Sequence, residues 1–274
     1  MNSIGRLRLA LSGRVAEAPH EKTRALVGIA ELADAAARIG YEGLEIRNSQ
    51  LDVDHPPDRW REVKQALDAN RLTPCCLVAD SAIEGRFTPR FDAYLDLALK
   101  IGAAKIRPSI GSIAQIPVAQ AAADRAAAYG VTLVQFVHHG TPFASPDGCL
   151  DMLRRINRRN VGLAFEPGNL VWEGHDYGPA TIRRLAPFIV HAEVQNIVLT
   201  DDGVPVSARG GHVRYKNLRL DSHGGIDFAA VIRGLKDIGY DGWLVVHSPN
   251  FDGLDPLDYA RASHDYLRRL TDGA

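Results

Sequence analysis

The chain has 274 residues, of which 46% are hydrophobic and 24% are charged, a composition typical of a soluble globular protein. Its formal net charge of −1 provides no basic field that would attract nucleic acid or an anionic membrane. No run approaches the roughly 18 apolar residues of a membrane helix, and three cysteines make a poor disulfide framework, so we expect a cytoplasmic protein without nucleic-acid or membrane partners.

Strand-like and helix-like segments alternate along the chain, with no linker between them. The first four pairs, each strand followed by its helix, are 6–13 and 21–40, 41–48 and 56–72, 73–80 and 90–102, and 104–111 and 113–129. The last four pairs are 131–140 and 147–159, 161–169 and 179–187, 188–200 and 227–239, and 242–250 and 256–270. Such alternation implies right-handed crossovers and a parallel sheet. Eight units in about 250 residues predict a single α/β domain over 1–274, a (β/α)8 TIM barrel. An open doubly wound sheet is the alternative, but no G-x-G-x-x-G motif follows the first strand.

One segment interrupts the alternation. Residues 200–222 are polar, contain glycines and show no helical pattern. We predict a long loop after strand 7, on the face where barrels carry their active sites, and the alternating stretch "HVRYKNLRL" within it indicates that this loop forms a small hairpin. The loop is long enough to cover the pocket of a neighbouring subunit, so the sequence is compatible with a homo-oligomer.

Polar residues stand near the carboxyl ends of seven consecutive predicted strands, once in each strand–helix unit. In chain order they are Glu45, Asp80, Arg107, Gln135, Glu166, Glu193 and His247. The carboxyl ends of barrel strands converge on one pocket, so residues far apart in the sequence meet there. Structural alternatives exist for some of them. Glu45 with Arg47 would also form an ion pair at a strand end, Asp80 would serve as a helix N-cap, and Gln135 as a satisfied core amide.

The stretch "GLAFEPGNLVWEG" sets the carboxylate of Glu166 at the end of a buried strand, before turn-forming residues at 167–169. A buried carboxylate must be paired, protonated or bound to a metal. Glu166, Glu193 and His247 on adjacent strands offer two carboxylates and an imidazole, a donor set that suits Mn²⁺, Fe²⁺, Co²⁺ or Zn²⁺. We predict that these three side chains hold one divalent metal cation, with Gln135 as a weaker fourth ligand. A hydrogen-bonded polar pocket without metal is the alternative.

Histidines and arginines near the predicted pocket are further candidates. His138 follows strand 5 and His223 lies in the loop "DSHGG", positions where an imidazole is useful for acid–base catalysis. His191, two residues before Glu193, is interpreted as structural. The candidate substrate-binding residues are Glu45, Arg47, Arg107 and Arg209. The arginines would bind a phosphate or carboxylate of the substrate, and a structural cation is the alternative for each.

The chain resembles the xylose-isomerase-like TIM barrels, a broad group of sugar-phosphate isomerases and epimerases, over nearly its whole length. The matching segments are "AARIGYEGLEIR", "NVGLAFEPGNL", "VHAEVQN", "HGGIDFAAVIRGLKDIGYDGWLVVHSP" and "DPLDYARASHDYLRRL". The resemblance implies a divalent cation held by Glu, Asp, His and Glu on strands 5 to 8, the two glutamates also moving protons beside a carbonyl. In this sequence those positions fall on Gln135 or Phe136, Glu166, Glu193 and His247. The sequence therefore departs from the family's ligand set at every position.

These departures bear on the reaction. His247 is a candidate to replace one proton-moving glutamate, but the Gln135 amide cannot replace the other, because an amide does not titrate. Either His138 or His223 supplies the second base, or the reaction needs one base only. Our leading prediction is an isomerase or epimerase that removes a proton from a small sugar or keto-polyol beside a metal-bound carbonyl. One alternative is a lyase or dehydratase that acts on a keto-sugar, keto-inositol or keto-glycoside by the same enolate chemistry. The other is a non-catalytic sugar-binding or partner subunit that has lost its metal site.

Overall fold

The computed structural model describes residues 6–19, 21–83, 88–251 and 254–273. The strands in these ranges are β1 (Arg8–Ser12), β2 (Glu17–Ala18), β3 (Glu21–Ala25), β4 (Gly43–Ile46), β5 (Thr73–Ala79), β6 (Lys105–Pro108), β7 (Thr132–Phe136), β8 (Val161–Phe165), β9 (Ile189–Val194), β10 (Asn196–Ala208), β11 (Gly211–Leu218) and β12 (Trp243–Val246). The α-helices are α1 (Ile29–Ile39), α2 (Arg59–Ala69), α3 (Thr88–Ile101), α4 (Ile116–Ala127), α5 (Pro146–Ile156), α6 (Pro167–Glu173), α7 (Pro179–Leu185), α8 (Phe228–Asp237) and α9 (Pro256–Asp272). Short 3-10 turns cover Gly13–Ala16, Ile113–Gln115 and Ala186–Phe188.

Eight strands close a parallel barrel in the order β1-β12-β9-β8-β7-β6-β5-β4. The register across the closure sets Ser12 opposite Glu45 on β1 and β4. On the other side of β1, β12 pairs with β9 and sets Val245 opposite Glu193. The predicted TIM barrel is confirmed, and its closure brings the first and last strands together at one rim. None of the helices in the described ranges is long and apolar enough to cross a membrane.

The hydrophobic core has two parts. The larger part lies between the barrel wall and the helices, where α1 buries Ile29 and Leu32 among other residues. A smaller cluster includes Cys76, Trp243 and Val245. Side chains alternate between the two faces of a strand, so Val245, opposite Glu193, points into the barrel, as does Trp243. Apolar side chains thus fill the barrel below the polar rim.

Two segments differ from the sequence prediction. The helix predicted over 21–40 begins only at Ile29, because residues 21–25 pair with β2 as strand β3. Gly28, the least helix-favouring residue of that segment, stands at the N-cap of α1. Residues 167–169, predicted as a turn, instead open α6. Pro167 lies in its first turn, where a missing backbone N–H costs nothing.

The long segment after β9 forms an antiparallel hairpin of β10 and β11. The hairpin that the sequence predicted is therefore present, and it is longer than predicted, since β10 begins directly after β9. Its two-residue turn, Arg209 and Gly210, has φ angles of 55° and 70°, the left-handed conformation that tight hairpins require. Tyr215 on β11 packs edge-on against Trp172 of α6, with ring centroids 4.8 Å apart. This contact holds the hairpin beside the carboxyl ends of the barrel strands.

Candidate active site

A cavity of about 470 Å³ lies at the carboxyl ends of the barrel strands, within the size range of small-molecule sites. Its lining combines residues at or just after strand ends with residues of the hairpin. From the strand ends come Arg14, Arg47, Asp80, Arg107, Gln135, Phe136, Asn169, Gln195 and His247. Val206 and Tyr215 of the hairpin, with Trp172 of α6, supply an apolar and aromatic wall. Polar residues from several strand ends thus meet at the face predicted from the sequence.

Glu45, Glu193 and His247 meet below this cavity: His247 lines it, and the two carboxylates are buried behind its lining. His247 Nδ1 lies 3.0 Å from Glu45 Oε1 and 2.9 Å from Glu193 Oε2. One candidate ligand atom from each of the three side chains lies within 4.8 Å of the others. All three side chains are buried, and Ser12 donates a hydrogen bond of 2.6 Å to Glu45 Oε1. The barrel register explains the grouping, because Ser12 and Glu45 are partners across the closure.

Arg107 is the fourth residue of this group, which we call the floor cluster: Glu45, Arg107, Glu193 and His247. Its Nε lies 3.8 Å from Glu45 Oε2, and its Nη1 lies 3.7 Å from Glu193 Oε2. The guanidinium also stacks over Phe136, with Cζ 4.5 Å from the ring centroid. These are ion pairs without hydrogen bonds. Within the described residues, Arg107 Nε, Glu45 Oε2 and Glu193 Oε1 have no hydrogen-bond partner, while Glu193 Oε2 has His247 Nδ1 at 2.9 Å.

The charges in the floor cluster stabilise one another against the cost of burial. Burial raises the pKa of Glu45, but Arg107 and His247 outweigh it and hold that pKa well below its ordinary value. Burial lowers the pKa of Arg107, and the Glu193 and Glu45 carboxylates more than restore it. For His247, burial again lowers the pKa while Glu193 and Glu45 raise it, with a net increase. Glu45 and Arg107 are therefore charged at neutral pH.

The donor set of the floor cluster fits a divalent cation. It offers two carboxylates and an imidazole, and two of its four carboxylate oxygens, Glu45 Oε2 and Glu193 Oε1, are buried without a hydrogen-bond donor. A second group, Glu45 with Cys76 and His191, adjoins it. His191 Nε2 lies 3.9 Å from Glu45 Oε2 and from Glu193 Oε1, and neither ring nitrogen has a hydrogen-bond partner in the described residues. Burial lowers the pKa of His191 to about 3, so this imidazole is neutral. The described chain thus contains side-chain groups able to hold a divalent metal.

The structure does not bring Glu166 to the floor cluster, where the sequence predicted it. Its carboxylate caps α6: Oε1 accepts from the Gly168 N–H at 2.8 Å, and Oε2 accepts from the Asn169 N–H at 2.7 Å. Oε2 also accepts from Asn169 Nδ2 at 2.6 Å and Gln195 Nε2 at 3.1 Å. A Cβ at position 168 would lie 3.0 Å from Glu166 Oε1, so glycine leaves room for the cap. Hydrogen bonds to a helix N-terminus therefore account for this buried carboxylate, and Glu45 joins Glu193 and His247 in its place.

Gln135, predicted as a fourth ligand, lies in the cavity wall with both ends of its amide engaged. Its Oε1 accepts from the Ile110 N–H at 3.0 Å, and its Nε2 donates to the Phe136 carbonyl at 3.0 Å. These bonds match the core-amide alternative and fix the amide against β7. The side chain shapes the cavity without supplying a titratable group.

The two predicted loop histidines lie in different places. His138 lines the cavity, and its Nδ1 donates to the His139 carbonyl at 2.7 Å, which leaves Nε2 as a proton acceptor. Burial lowers the pKa of His138 to about 4, so the ring is neutral at pH 7. His223 is exposed in the loop after β11 and does not line the cavity. The structure thus favours His138 and not His223 as a group that can reach a bound substrate.

Of the predicted substrate-binding residues, some lie at the cavity and one does not. Arg47 and Arg107 line the cavity, and Glu45 is buried behind them. Arg209 does not line it. Its guanidinium instead donates to the carbonyls of Val171 (2.8 Å) and Trp172 (2.9 Å) near the end of α6, where a cation is favourable. Arg209 therefore anchors the hairpin turn to α6.

Sequence reasoning missed several residues of the cavity. Arg14 and Lys22 line it from the segment between β1 and α1, which was predicted to be partly helical. Trp172 and Tyr215 line it from α6 and the hairpin. The available signal was the cationic character of "EKTR" before Gly28, which does not continue the apolar spacing of the following helix.

The chain is similar in sequence to a family model and to curated proteins whose names describe a function. Residues 33–270 match the family model described as xylose isomerase-like TIM barrel. The rhizopine catabolism protein MocC of Rhizobium meliloti is 32% identical over 161 residues, 56% of this chain and 47% of that protein. An inosose dehydratase of Geobacillus thermodenitrificans is 27% identical over 152 residues, 53% of this chain and 50% of that protein. The chain thus spans about half the length of the curated relatives that it matches.

Among solved structures, the IOLI protein with a binding zinc atom superposes with a TM-score of 0.72 at 14% identity. The superposition covers 97% of this chain and 99% of that one, and at this identity it supports the fold alone. The family model covers most of the chain, and the barrel carries its polar groups at the expected rim. The chain belongs to the xylose isomerase-like TIM barrel family.

Proposed function

We propose that this protein is an enzyme that removes a proton beside the carbonyl group of a small keto-polyol or keto-sugar. The resulting reaction is an isomerisation, an epimerisation or a dehydration, which share this step. The observation that carries the proposal is the floor cluster, in which Glu45, Glu193 and His247 converge below a polar cavity of about 470 Å³. The name of inosose dehydratase, a relative by sequence, agrees with a substrate of this class.

We further propose Glu45, Glu193 and His247 as the ligands of a divalent cation, with Mn, Fe, Co and Zn as the candidate metals. Support comes from the buried carboxylate oxygens that lack hydrogen-bond donors. A zinc atom in the name of the IOLI protein, which shares the fold, is consistent with this. When bound, such a cation supplies Lewis-acid polarisation of a carbonyl oxygen.

The chain's own residues perform the remaining tasks. His138 Nε2 is the proposed acceptor of the proton, because this ring is neutral and its Nδ1 is already bonded to a carbonyl. Arg107, at the cavity floor, stabilises negative charge that develops on the substrate oxygen. Trp172 and Tyr215 offer ring faces and edges against which the apolar side of a sugar can pack.

One observation favours dehydration as the outcome. Epimerisation with two bases needs a proton acceptor on each face of the carbon, and one base position of the family pattern is Gln135, whose amide is engaged by backbone groups. Dehydration needs a single base. His138 Nε2 takes the proton from the carbon beside the carbonyl, and the C–H electrons form a carbon–carbon double bond. The C–O bond at the next carbon breaks, and the leaving hydroxyl takes the proton back from His138 as water.

Proton exchange in D₂O tests the proposal. The protein is incubated with Zn²⁺ or Mn²⁺ and with an inosose or a ketose, and ¹H NMR follows the hydrogen beside the carbonyl. We expect deuterium to enter at that carbon and, from the inosose, an unsaturated ketone to form. Glu193→Gln and His138→Gln should each slow exchange about 100-fold or more. Exposed Glu31→Gln and His175→Gln serve as matched controls and should exchange like the wild type.

The opposite result would assign a different role. A chain that takes up none of these metals and exchanges no proton in any carbonyl compound is not an enzyme of this kind. That outcome favours a non-catalytic sugar-binding or partner subunit.

A further inference from the structure

The charged residues that line the cavity are mostly cationic. Arg14, Lys22, Arg47 and Arg107 face it, while Asp80 is the acidic member of its described lining. Arg107 is neutralised from behind by the two carboxylates of the floor cluster. The other three cations lie together on the side formed by the segments after β1, in β3 and after β4. We call these three residues the cationic wall: Arg14, Lys22 and Arg47.

The cationic wall carries more positive charge than its own acids neutralise. Arg14 and Arg47 share one carboxylate: Arg14 Nη1 lies 2.8 Å from Glu17 Oε2, and Arg47 Nε lies 3.0 Å from Glu17 Oε1. Lys22 makes no ion pair within the described residues, and Asp80 and Glu17 act on it only at longer range. Both arginine side chains are mostly buried, at 19% and 5% exposure, so water screens their charge poorly.

Mutual repulsion within the cationic wall supports the same view. Burial lowers the pKa of Arg14, and the neighbouring Arg47 lowers it further. Lys22 is exposed, but partial desolvation beside the cavity lowers the pKa of its ammonium group, and Arg14 and Arg47 add to that effect. A set of cations that disfavour one another's charge is stabilised when an anion binds between them.

The cationic wall also stands between two spaces. Arg14 and Lys22, with Tyr215, line a second cavity of about 320 Å³ as well as the first. Arg107 and His247 of the floor cluster line the first cavity and not the second. A group bound by Arg14 and Lys22, which line both cavities, would therefore be a substituent of the substrate other than its carbonyl.

We infer that the substrate carries an anionic substituent, a carboxylate or a phosphate, and that Arg14, Lys22 and Arg47 bind it. The inference rests on the proposed function for the identity of the site and adds the charge class of its substrate. The arginines suit either anion, since a guanidinium presents several N–H donors in a planar fork. Lys22 adds a compact positive charge, whose attraction to an anion depends less on the anion's orientation than the hydrogen bonds of a guanidinium do.

Three ketoses that differ only at C6 test the inference: fructose, fructuronate and fructose 6-phosphate. Their affinities are measured by isothermal titration calorimetry at 50 mM and 500 mM NaCl. We expect at least one of the two anionic ketoses to bind tenfold or more tightly than fructose, with the advantage reduced at the higher salt concentration. The tighter of the two identifies the anion as carboxylate or phosphate.

Substitutions in the cationic wall test whether its residues cause the tighter binding of the anionic ketose. Lys22→Gln should reduce the advantage of the anionic ligand at least threefold, and Arg14→Gln at least tenfold. Arg24→Gln is the matched control, because Arg24 lies on β3 with Lys22 but is exposed, pairs with Glu21 and does not line the cavity. Lys22 is exposed and makes no ion pair within the described chain, so its variant tests the wall even if Arg14→Gln fails to fold.

Two outcomes would overturn the inference: equal affinity for the three ketoses, or an anion preference that survives both Lys22→Gln and Arg14→Gln. The D₂O experiment separates this inference from the proposed function. If neutral substrates exchange protons and no anionic ketose binds more tightly, the anion-binding role of the cationic wall is rejected and the proposed reaction stands. Anion preference without exchange in any carbonyl compound rejects the proposed reaction alone.

Discussion

Replacement of Glu166 by alanine should destabilise the fold without removing a metal. The change deletes the N-cap of α6 and all four hydrogen bonds that the carboxylate accepts. Loss of an N-cap costs about 0.5–2 kcal/mol, and each buried donor left without an acceptor costs about 1–3 kcal/mol. Asn169 Nδ2 and Gln195 Nε2 are the side-chain donors left in this state. We expect a loss of about 4 kcal/mol in the free energy of unfolding, or about 7 °C in Tm for a chain of this length.

Equilibrium urea denaturation and calorimetry measure this loss, and elemental analysis after metal loading measures bound cation in the same samples. Glu31→Ala is the control, since it removes an exposed first-turn acid of α1 and should change stability by less than about 0.5 kcal/mol. The reasoning is refuted if Glu166→Ala unfolds at the wild-type urea midpoint but no longer retains its metal. Glu166 would then be a ligand, as the sequence suggested, and the cap would be incidental.

Three further predictions concern the floor cluster, the cavity and the hairpin. Arg107→Met leaves the two buried carboxylates without the guanidinium, so the metal-free protein should lose about 3–5 kcal/mol of unfolding free energy. Adding Glu193→Gln to the same chain should restore part of this loss. An unchanged urea midpoint in Arg107→Met would contradict a stabilising role of the ion pairs. The folded chain lowers the pKa of His138 to about 4, so between about pH 6.5 and 4 the unfolded chain binds more protons at this residue than the folded chain does. The free energy of unfolding therefore falls as the pH falls through this range. His138→Asn should therefore gain stability relative to the wild type from pH 7 to pH 4, by at most about 1.4 kcal/mol per pH unit, and a constant difference in urea midpoint would refute this. Arg209→Ala should speed proteolysis of the hairpin while the Tm of the barrel changes by about 2 °C or less. An unchanged cleavage rate would show that the hydrogen bonds from Arg209 to α6 do not hold the hairpin in place.

The barrel could be predicted from the sequence because its signals are local and repeated. Each strand is a short apolar run followed by a helical pattern, and the carboxyl ends of such strands must share a rim. Arg107, Glu193 and His247 were identified in this way, and the structure brings all three to the floor cluster. A strand-end position was enough to predict the meeting place of these three residues, but not that of Glu166, whose carboxylate caps α6 instead.

The exact partners within the site depend on contacts that local patterns do not encode. The stretch "EPGN" fits either a turn or a capped helix start, and only the bonds from residues 168, 169 and 195 select the cap. Glu45 reaches His247 because the barrel closes between β1 and β4, next to the last strand. The cationic wall depends on pairing of β3 with β2, an interaction that helical spacing in the neighbouring segment concealed.

The most direct test of the central claim is an anomalous difference map from crystals grown with Mn²⁺ or Zn²⁺. We predict one strong peak among the carboxylates of Glu45 and Glu193 and the His247 imidazole. A peak on the Glu166 carboxylate instead, or no peak at the floor cluster in crystals whose protein is saturated with metal, would contradict the account.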